Sequence, residues 1–282
     1  MPRVKKVKKK VITRKKRTGI LQRVEAVSFD ETVPFSIGVF GKSSTGKTTF
    51  ASTFPGRILF AECSGGRRKP GELRSISREN REKIDVLRIT DCEQLNEMTE
   101  AVLEEDDYQT IVLDNLTSFS DLCLEQVTGK SVPAQLNWGY ATQQDWGKHG
   151  ALIKSFLRNI IDTEKYVVII SHERWFEPPE NSEIGVSVVG PACTPTVSGW
   201  LTAALDYSVQ MFTRPQTKEK TIKVAGKIKK TEVKTGKEEF CAYLPFCSER
   251  MTKFRKPKGT KIPETITDPE FTKIRDIINE GN

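Results

Sequence analysis

Residues 41–48 read Gly41-Lys42-Ser43-Ser44-Thr45-Gly46-Lys47-Thr48, and this octapeptide constrains the architecture of the chain more than any other stretch. It matches Gly-x-x-x-x-Gly-Lys-Thr, the pattern of a loop whose backbone N–H groups surround phosphates. In such a loop the ammonium of Lys47 reaches the β- and γ-phosphates, and the Thr48 hydroxyl ligates Mg²⁺. The octapeptide and Thr49 are therefore the predicted binding residues for the phosphates of a nucleotide.

The flanks of the octapeptide support this prediction. Residues 35–40 form a short apolar run that indicates a buried strand, and residues 49–54 are suited to begin a helix. The N-terminus of that helix would face the bound anion, because its first N–H groups have no partner within the helix. Pro55 and Gly56 then favour an early end to the helix.

Apolar runs alternate with amphipathic stretches along the rest of the chain. Strands are predicted at residues 57–61, 85–89, 110–114 and 166–170, and helices at 93–104, 118–126 and 148–162. This alternation predicts an α/β fold, with a mostly parallel sheet flanked by helices. Residues 174–195 show no periodicity and are predicted to form a long polar loop. Residues 207–212, 220–224 and 240–245 indicate a C-terminal antiparallel β extension with a basic hairpin, closed by a helix at 269–279.

Charge is unevenly distributed along the 282 residues, whose formal net charge is +8. Residues 1–17 hold ten Lys or Arg and no acid, and residues 214–261 hold fifteen against five Glu. Such segregation is typical of proteins that contact polyanions. We expect residues 1–25 to be a disordered basic arm that tethers nucleic acid or only solubilises the chain. Residues 26–212 are the predicted core domain, and residues 213–282 are expected to complete it.

The sequence also indicates a cellular setting. No apolar stretch approaches the roughly 20 residues that a membrane-spanning helix needs, so we expect no membrane association. The six cysteines form no Cys-x-x-Cys pair and have no regular spacing, which favours free thiols in a reducing cytoplasm over disulfides or zinc.

A phosphate loop needs a second metal ligand at the end of a neighbouring strand. Asp114 ends the strand predicted at residues 110–114 and fits the role of a Mg²⁺-organising carboxylate. The alternative is that Asp114 only caps the next turn together with Asn115. Because Asn115 is not a carboxylate, any general base must come from elsewhere.

Three polar residues at other strand ends are candidates for catalysis. Glu93 follows the strand at 85–89, Glu62 follows the strand at 57–61, and His172 follows the strand at 166–170. Either carboxylate could orient and deprotonate an attacking water, and His172 could report the γ-phosphate to the adjacent loop. Alternatively, Glu93 only faces a helix dipole, Glu62 contacts the nucleotide through water or caps a turn, and His172 is an ordinary loop histidine.

Together these motifs resemble the RecA-like P-loop ATPases. The chain is most similar to the small phage-encoded ATP-binding proteins with an AAA domain and a RecA-like core, which are implicated in single-strand annealing and recombination. The resemblance covers roughly residues 33–265. It rests on residues 41–48, on Leu113-Asp114-Asn115 without an adjacent Glu, and on the strand end at residues 169–173. Residues 90–94 are similar to the place where RecA carries its catalytic Glu, which favours Glu93.

The resemblance implies a set of partners. ATP and Mg²⁺ would bind between subunits of a homo-oligomer, with a trans-acting Lys or Arg drawn from Lys253, Arg255, Lys256 and Lys258. The loop at residues 174–195 would face single-stranded DNA, with Arg174, Trp175 and Phe176 stacking on bases or else packing the loop down. The chain departs from the family in lacking an oligomerisation domain of RecA type and in carrying His rather than Gln at position 172.

These observations predict an ATP-binding, ATP-hydrolysing protein that acts on single-stranded DNA in phage recombination or replication. Two other classes remain open at this point. The basic stretch after Arg250 could be the lid of a P-loop kinase that phosphorylates a small molecule. The chain could also be a nucleotide switch or packaging accessory that binds ATP and hardly hydrolyses it.

Overall fold

A computed structural model describes residues 33–63, 71–104, 107–129, 141–178, 185–224, 227–256, 259 and 261–280. The predicted basic arm and Lys258 lie outside the described residues. Residues 34–282 form one compact unit. The domain boundaries at residues 25/26 and 212/213 stay a prediction.

The elements follow one another in a largely alternating order. The strands are β1 Ser36–Phe40, β2 Ile58–Glu62, β3 Ile84–Arg88, β4 Thr110–Asp114, β5 Tyr166–Ser171, β6 Glu173–Phe176, β7 Val188–Pro191, β8 Tyr207–Val224, β9 Lys227–Tyr243, β10 Lys253–Phe254 and β11 Thr265–Thr267. The helices are α1 Lys47–Ala51, α2 Arg78–Arg81, α3 Glu93–Glu104, α4 Leu116–Thr128, α5 Gln143–Ile161, α6 Pro195–Ala204 and α7 Phe271–Asn279, with a 3₁₀ turn at Gly71–Ser75.

The main sheet has the strand order β11-β9-β8-β1-β5-β4-β2-β3, with β10 paired to β8. Strands from β3 to β8 along this order are parallel, whereas β9, β10 and β11 join antiparallel. The predicted α/β class, a mostly parallel sheet with a C-terminal antiparallel extension, is therefore confirmed. One strand, β5, lies between the strand that precedes the phosphate loop and the strand that ends at Asp114.

Helices cover both faces of the sheet. Successive residues of a strand point to opposite faces, so a buried strand contacts helices on both sides. On β4, Ile111 and Leu113 pack with α3, α4, α5 and α6, whereas Val112 packs with α1 and α7. All three side chains are completely buried. The inner strands β1, β2, β4 and β5 consequently consist of near-continuous apolar runs, as expected of a parallel sheet covered on both faces.

The structure corrects the prediction for residues 174–195. Its described part contains β6 and β7, an antiparallel pair in which Trp175 lies opposite Val189. The exposed positions on these short strands obscure the apolar alternation that would have indicated a hairpin. Helix α6, which begins with Pro195 in its first turn, was not predicted either, although proline is favoured at that position.

The C-terminal hairpin is longer than the sequence indicated. β8 is one continuous strand from Tyr207 to Val224, and β9 pairs with it from Tyr243 back to Lys227. The pairing has one irregularity, between Pro215 and Thr217, where proline has no N–H to donate to the ladder. We call residues 214–224 and 227–239 the ribbon, because within the described chain they pair only with each other.

His149 is a buried residue of α5 that contacts Ser120 of α4. Its Nε2 lies 3.0 Å from the Ser120 hydroxyl and 2.9 Å from the Ser120 carbonyl oxygen, and its ring meets Trp146 edge-on. Its Nδ1 is buried without a hydrogen-bond partner among the described residues. Burial lowers the pKa of this imidazole below its ordinary value of 6.5.

We expect this histidine to make folding sensitive to mild acid. Below pH 6.5 the unfolded chain binds a proton that folded His149 rejects, so the free energy of unfolding should fall by up to about 1.4 kcal/mol per pH unit. Urea unfolding between pH 5 and 7.5 measures this slope. His149→Gln, which retains a group that can bond Ser120 but does not titrate, should flatten it. Equal slopes in the two proteins would contradict the assignment.

None of the helices in the described ranges is long and apolar enough to cross a bilayer.

Candidate nucleotide-binding site

The phosphate loop has the backbone conformation that its sequence requires. Ser44 and Gly46 adopt left-handed φ angles of 64° and 84°. Gly41 is needed for a different reason, because a Cβ atom there would lie 2.1 Å from the Met211 carbonyl oxygen. The loop is also bonded to itself, since the Thr45 hydroxyl donates to the Lys42 carbonyl at 2.9 Å.

Lys47 is almost fully buried at the start of α1. Its Nζ donates to the carbonyl oxygens of Gly41 at 2.9 Å and Lys42 at 2.6 Å. The ammonium therefore lies inside the curve of the loop, where the phosphates of a nucleotide would be.

Thr48 and Asp114 meet across the sheet edge. The Thr48 hydroxyl donates to Asp114 Oδ2 at 3.1 Å, which joins the phosphate loop to the end of β4. A hydroxyl and a carboxylate are oxygen ligands of the kind that Mg²⁺ prefers, and Mg²⁺ usually binds through one or two protein oxygens plus phosphates and water. The pair predicted from the sequence therefore fits that ion.

Asn115 caps the following helix. Its Oδ1 accepts a hydrogen bond from the Ser118 N–H at 2.9 Å, which satisfies one of the unpaired donors at the start of α4. Asn115 thus has a structural role. Of the two residues considered as caps of this turn, Asn115 caps the helix, whereas Asp114 contacts Thr48.

The two candidate bases lie in very different places. Glu62 pairs in register with Asp114 on the neighbouring strand, so both side chains leave the same face of the sheet, about 4.8 Å apart along the hydrogen-bonding direction. Glu62 is 6% exposed. Burial, followed by the two nearby carboxylates, raises the pKa of the Cys63 thiol.

Glu93 lies away from the phosphate loop, at the N-terminus of α3 after the edge strand β3. Its Oε1 accepts a hydrogen bond from Gln126 Nε2 at 2.7 Å, and it lines a shallow depression with Thr90 and Asp91. The structure therefore brings Glu62, but not Glu93, to Asp114. The physical reason is strand order, since β2 lies next to β4 whereas β3 lies beyond it at the edge of the described sheet.

A cleft of about 390 Å³ opens over the phosphate loop. His172 lines it, directly after β5, as the sequence predicted. The remaining lining residues are Ser43 to Thr49, Ser75, Asp114, Asn115, Ile170, Ser171 and Phe240. Glu62 is not among them, although it is adjacent to Asp114 in the sheet.

Phe240 is a lining residue that sequence reasoning missed, as is Ser75. It lies on β9, and a Cβ atom added to Gly46 would be 3.2 Å from its ring. The only signal in the sequence was an aromatic residue at the end of a run rich in Lys and Glu, which did not indicate proximity to a loop almost 200 residues earlier.

A family model described as "AAA domain" matches residues 34–240. The chain belongs to this family. The match begins just before β1 and ends at Phe240, so it includes the phosphate loop, Glu62, Asp114 and His172 but not the last two strands. With the loop geometry, it makes this AAA domain protein a P-loop ATPase of the AAA type. No curated protein matches the chain.

The candidate trans-acting residues of this AAA domain protein lie beyond the matched region. Lys253 Nζ donates to the carbonyl oxygen of Ala203 at 2.7 Å and also to that of Leu205, and burial lowers its pKa. Arg255 forms an exposed ion pair of 3.4 Å with Asp206. Lys256 is exposed. In this chain Lys253 therefore holds the C-terminal end of α6.

Proposed function

We propose that this AAA domain protein hydrolyses ATP and acts on single-stranded DNA as a homo-oligomer, in phage recombination or replication. The observation that carries the proposal is the hydrogen bond between Thr48 and Asp114 at the end of a complete phosphate loop. This bond supports Thr48 and Asp114 as a metal-ligand pair beside the loop's N–H groups and ammonium, which is the arrangement used for phosphoryl transfer to water.

Several residues of the loop, together with Asp114, have a role in the proposed reaction. Lys47 would exchange its bonds to the Gly41 and Lys42 carbonyls for bonds to the β- and γ-phosphate oxygens. Thr48 and Asp114 would hold Mg²⁺, which neutralises charge developing on those oxygens. Gly46 and its neighbours would donate backbone N–H groups, which need no reorganisation during the reaction.

We assign the general base to Glu62. Its register position beside Asp114 favours this assignment, whereas Glu93 is bonded to Gln126 on α4. Glu62 would orient the attacking water and accept its proton. His172 lines the cleft and would contact the γ-phosphate. Departure of the γ-phosphate would remove this contact and thereby affect β6, which begins at the next residue.

Two surfaces support a role in binding single strands. Trp175 on β6 is 58% exposed. On the same strand, the guanidinium of Arg174 lies 5.7 Å from the centre of the Phe176 ring. Exposed aromatic and Arg side chains are what stacking on unpaired bases requires. Residues 214–239 hold nine Lys or Arg against four Glu, and a segment with such an excess of positive charge binds phosphates in a salt-dependent manner.

Steady-state ATP hydrolysis measured without DNA, with duplex DNA and with single-stranded DNA tests the proposal, with Lys47→Ala as the blank. We expect stimulation of roughly tenfold or more by single strands, weakening as salt is raised. A rate that single strands leave unchanged at low salt would contradict the DNA role. Phosphate transfer to a small acceptor with little hydrolysis would indicate a kinase instead.

A further inference from the structure

A second cavity of about 310 Å³ lies directly beside the phosphate cleft. The two share Gly46, Thr49 and Phe240, so the second cavity adjoins the phosphate loop. The proposed ATPase chemistry uses only the first cavity. The second is large enough for a heterocyclic base with part of a ribose.

Phe240 stands at the junction of the two cavities. Its ring touches the Gly46 side of the phosphate loop and is 41% exposed. Met211, on the partner strand β8, is buried on the wall of the second cavity. An aromatic face beside a thioether is a surface on which a planar base can stack.

Another part of the wall is polar and is bonded to β9 and to the segment after α1. Asp268 has a φ of 46°, and its N–H donates to the Phe240 carbonyl at 2.7 Å. The Phe271 N–H donates to the Thr53 hydroxyl at 2.8 Å. Residues 268–271 are therefore bonded both to β9 and to the segment after α1, so the cavity exists before any ligand binds.

Three polar side chains give this cavity a chemical preference. Asn80, from α2, carries a donor and an acceptor on one amide, the combination that pairs with the amine and ring nitrogen of adenine. Asp268 and Glu270 are carboxylates, which accept hydrogen bonds from ribose hydroxyls. They would also repel phosphates, so the triphosphate must lie on the Gly46 side.

We propose that this second cavity is the base pocket of the site, in which Phe240 stacks on adenine and Asn80 selects it over guanine. The inference rests on the proposed nucleotide binding. It adds the orientation of the ligand, with the base between Phe240 and α2, and it assigns specificity to two residues outside the phosphate loop.

Calorimetric binding of ATP and of inorganic tripolyphosphate, both with Mg²⁺, separates the two cavities. Phe240→Ala should weaken ATP binding by roughly tenfold more than it weakens tripolyphosphate binding, since base–aromatic stacking is worth about that factor or more. Phe246→Ala is the matched control, because Phe246 is 82% exposed and lines neither cavity. Phe240→Leu, which keeps apolar bulk beside Gly46, should show a loss of the same kind.

The outcomes distinguish this inference from the proposed function. Equal losses of ATP and tripolyphosphate affinity in both Phe240 variants would overturn it, because Phe240 would then act only through the phosphate loop. A wild-type protein that binds tripolyphosphate as tightly as ATP would also overturn it while leaving the phosphate site intact. Failure to bind either ligand would refute the proposed nucleotide binding itself, and this inference with it.

Competition with GTP tests the choice of base. The wild-type protein should prefer ATP, and Asn80→Ala should reduce that preference by roughly tenfold, the size expected for a bidentate amide–base contact. Equal affinity of the wild-type protein for the two nucleotides would overturn the assignment of adenine.

Discussion

Replacing Glu62 with Gln should slow ATP hydrolysis by roughly two to four orders of magnitude, the contribution expected of a general base. Affinity for ATP should change little, because Gln keeps the size and hydrogen-bonding reach of the side chain but cannot accept the proton of water. The register pairing of Glu62 with Asp114 is the reason for this expectation. Single-turnover hydrolysis and calorimetric binding of ATP measure the two effects separately.

Glu93→Gln is the matched control for this prediction. The substitution is the same, and Glu93 was the other carboxylate favoured from the sequence, but its carboxylate is bonded to Gln126 rather than placed near the loop. We expect hydrolysis within about twofold of the wild-type rate, since the side chain would not touch the reacting atoms. If Glu93→Gln were the slower variant, the assignment of the base to Glu62 would be wrong.

Lys47→Met should be the most severe single change for nucleotide binding and turnover together. It removes the ammonium that lies inside the loop while keeping an unbranched side chain of similar length. Losing one such preorganised donor costs roughly two to three orders of magnitude in rate. Hydrolysis and tripolyphosphate binding should therefore both fall.

Two measurements keep this second prediction interpretable. Because Lys47 also donates to the carbonyl oxygens of Gly41 and Lys42, thermal unfolding of the variant is needed to show that the fold survives. Lys148→Ala, which removes a positive charge from an exposed position on α5, controls for net charge. A folded Lys47→Met protein that hydrolyses ATP at the wild-type rate would contradict the assigned role.

Local patterns predicted much of the fold. The predicted bounds of α3 and β4 agree with Glu93–Glu104 and Thr110–Asp114, because each apolar pattern is bordered by polar or turn-forming residues. The phosphate loop was equally predictable, since its conformation depends on glycines at fixed spacing. Asp114 could be found because a buried strand ends on it.

Relations between distant elements could not be predicted in this way. Glu62 and Glu93 both follow apolar runs, and only the strand order brings one of them to Asp114. Phe240 reaches Gly46 through pairing of β9 with β8 and of β8 with β1, which no local pattern encodes. Lys253 was grouped with its basic neighbours by sequence, whereas its ammonium binds the end of α6.

The ribbon is long compared with the size of a compact chain of this length. Its strands, residues 214–224 and 227–239, pair only with each other among the described residues, and eleven extended residues span roughly 36 Å. A compact chain of this length has a radius of gyration of about 19 Å. A contact made at Val224 or Lys227, the last described residues of the ribbon, is therefore made well away from the strands beside the phosphate loop. Phe240 follows the ribbon directly on the same strand, β9. One hairpin therefore includes both a segment far from the ATP site and a residue that lines that site.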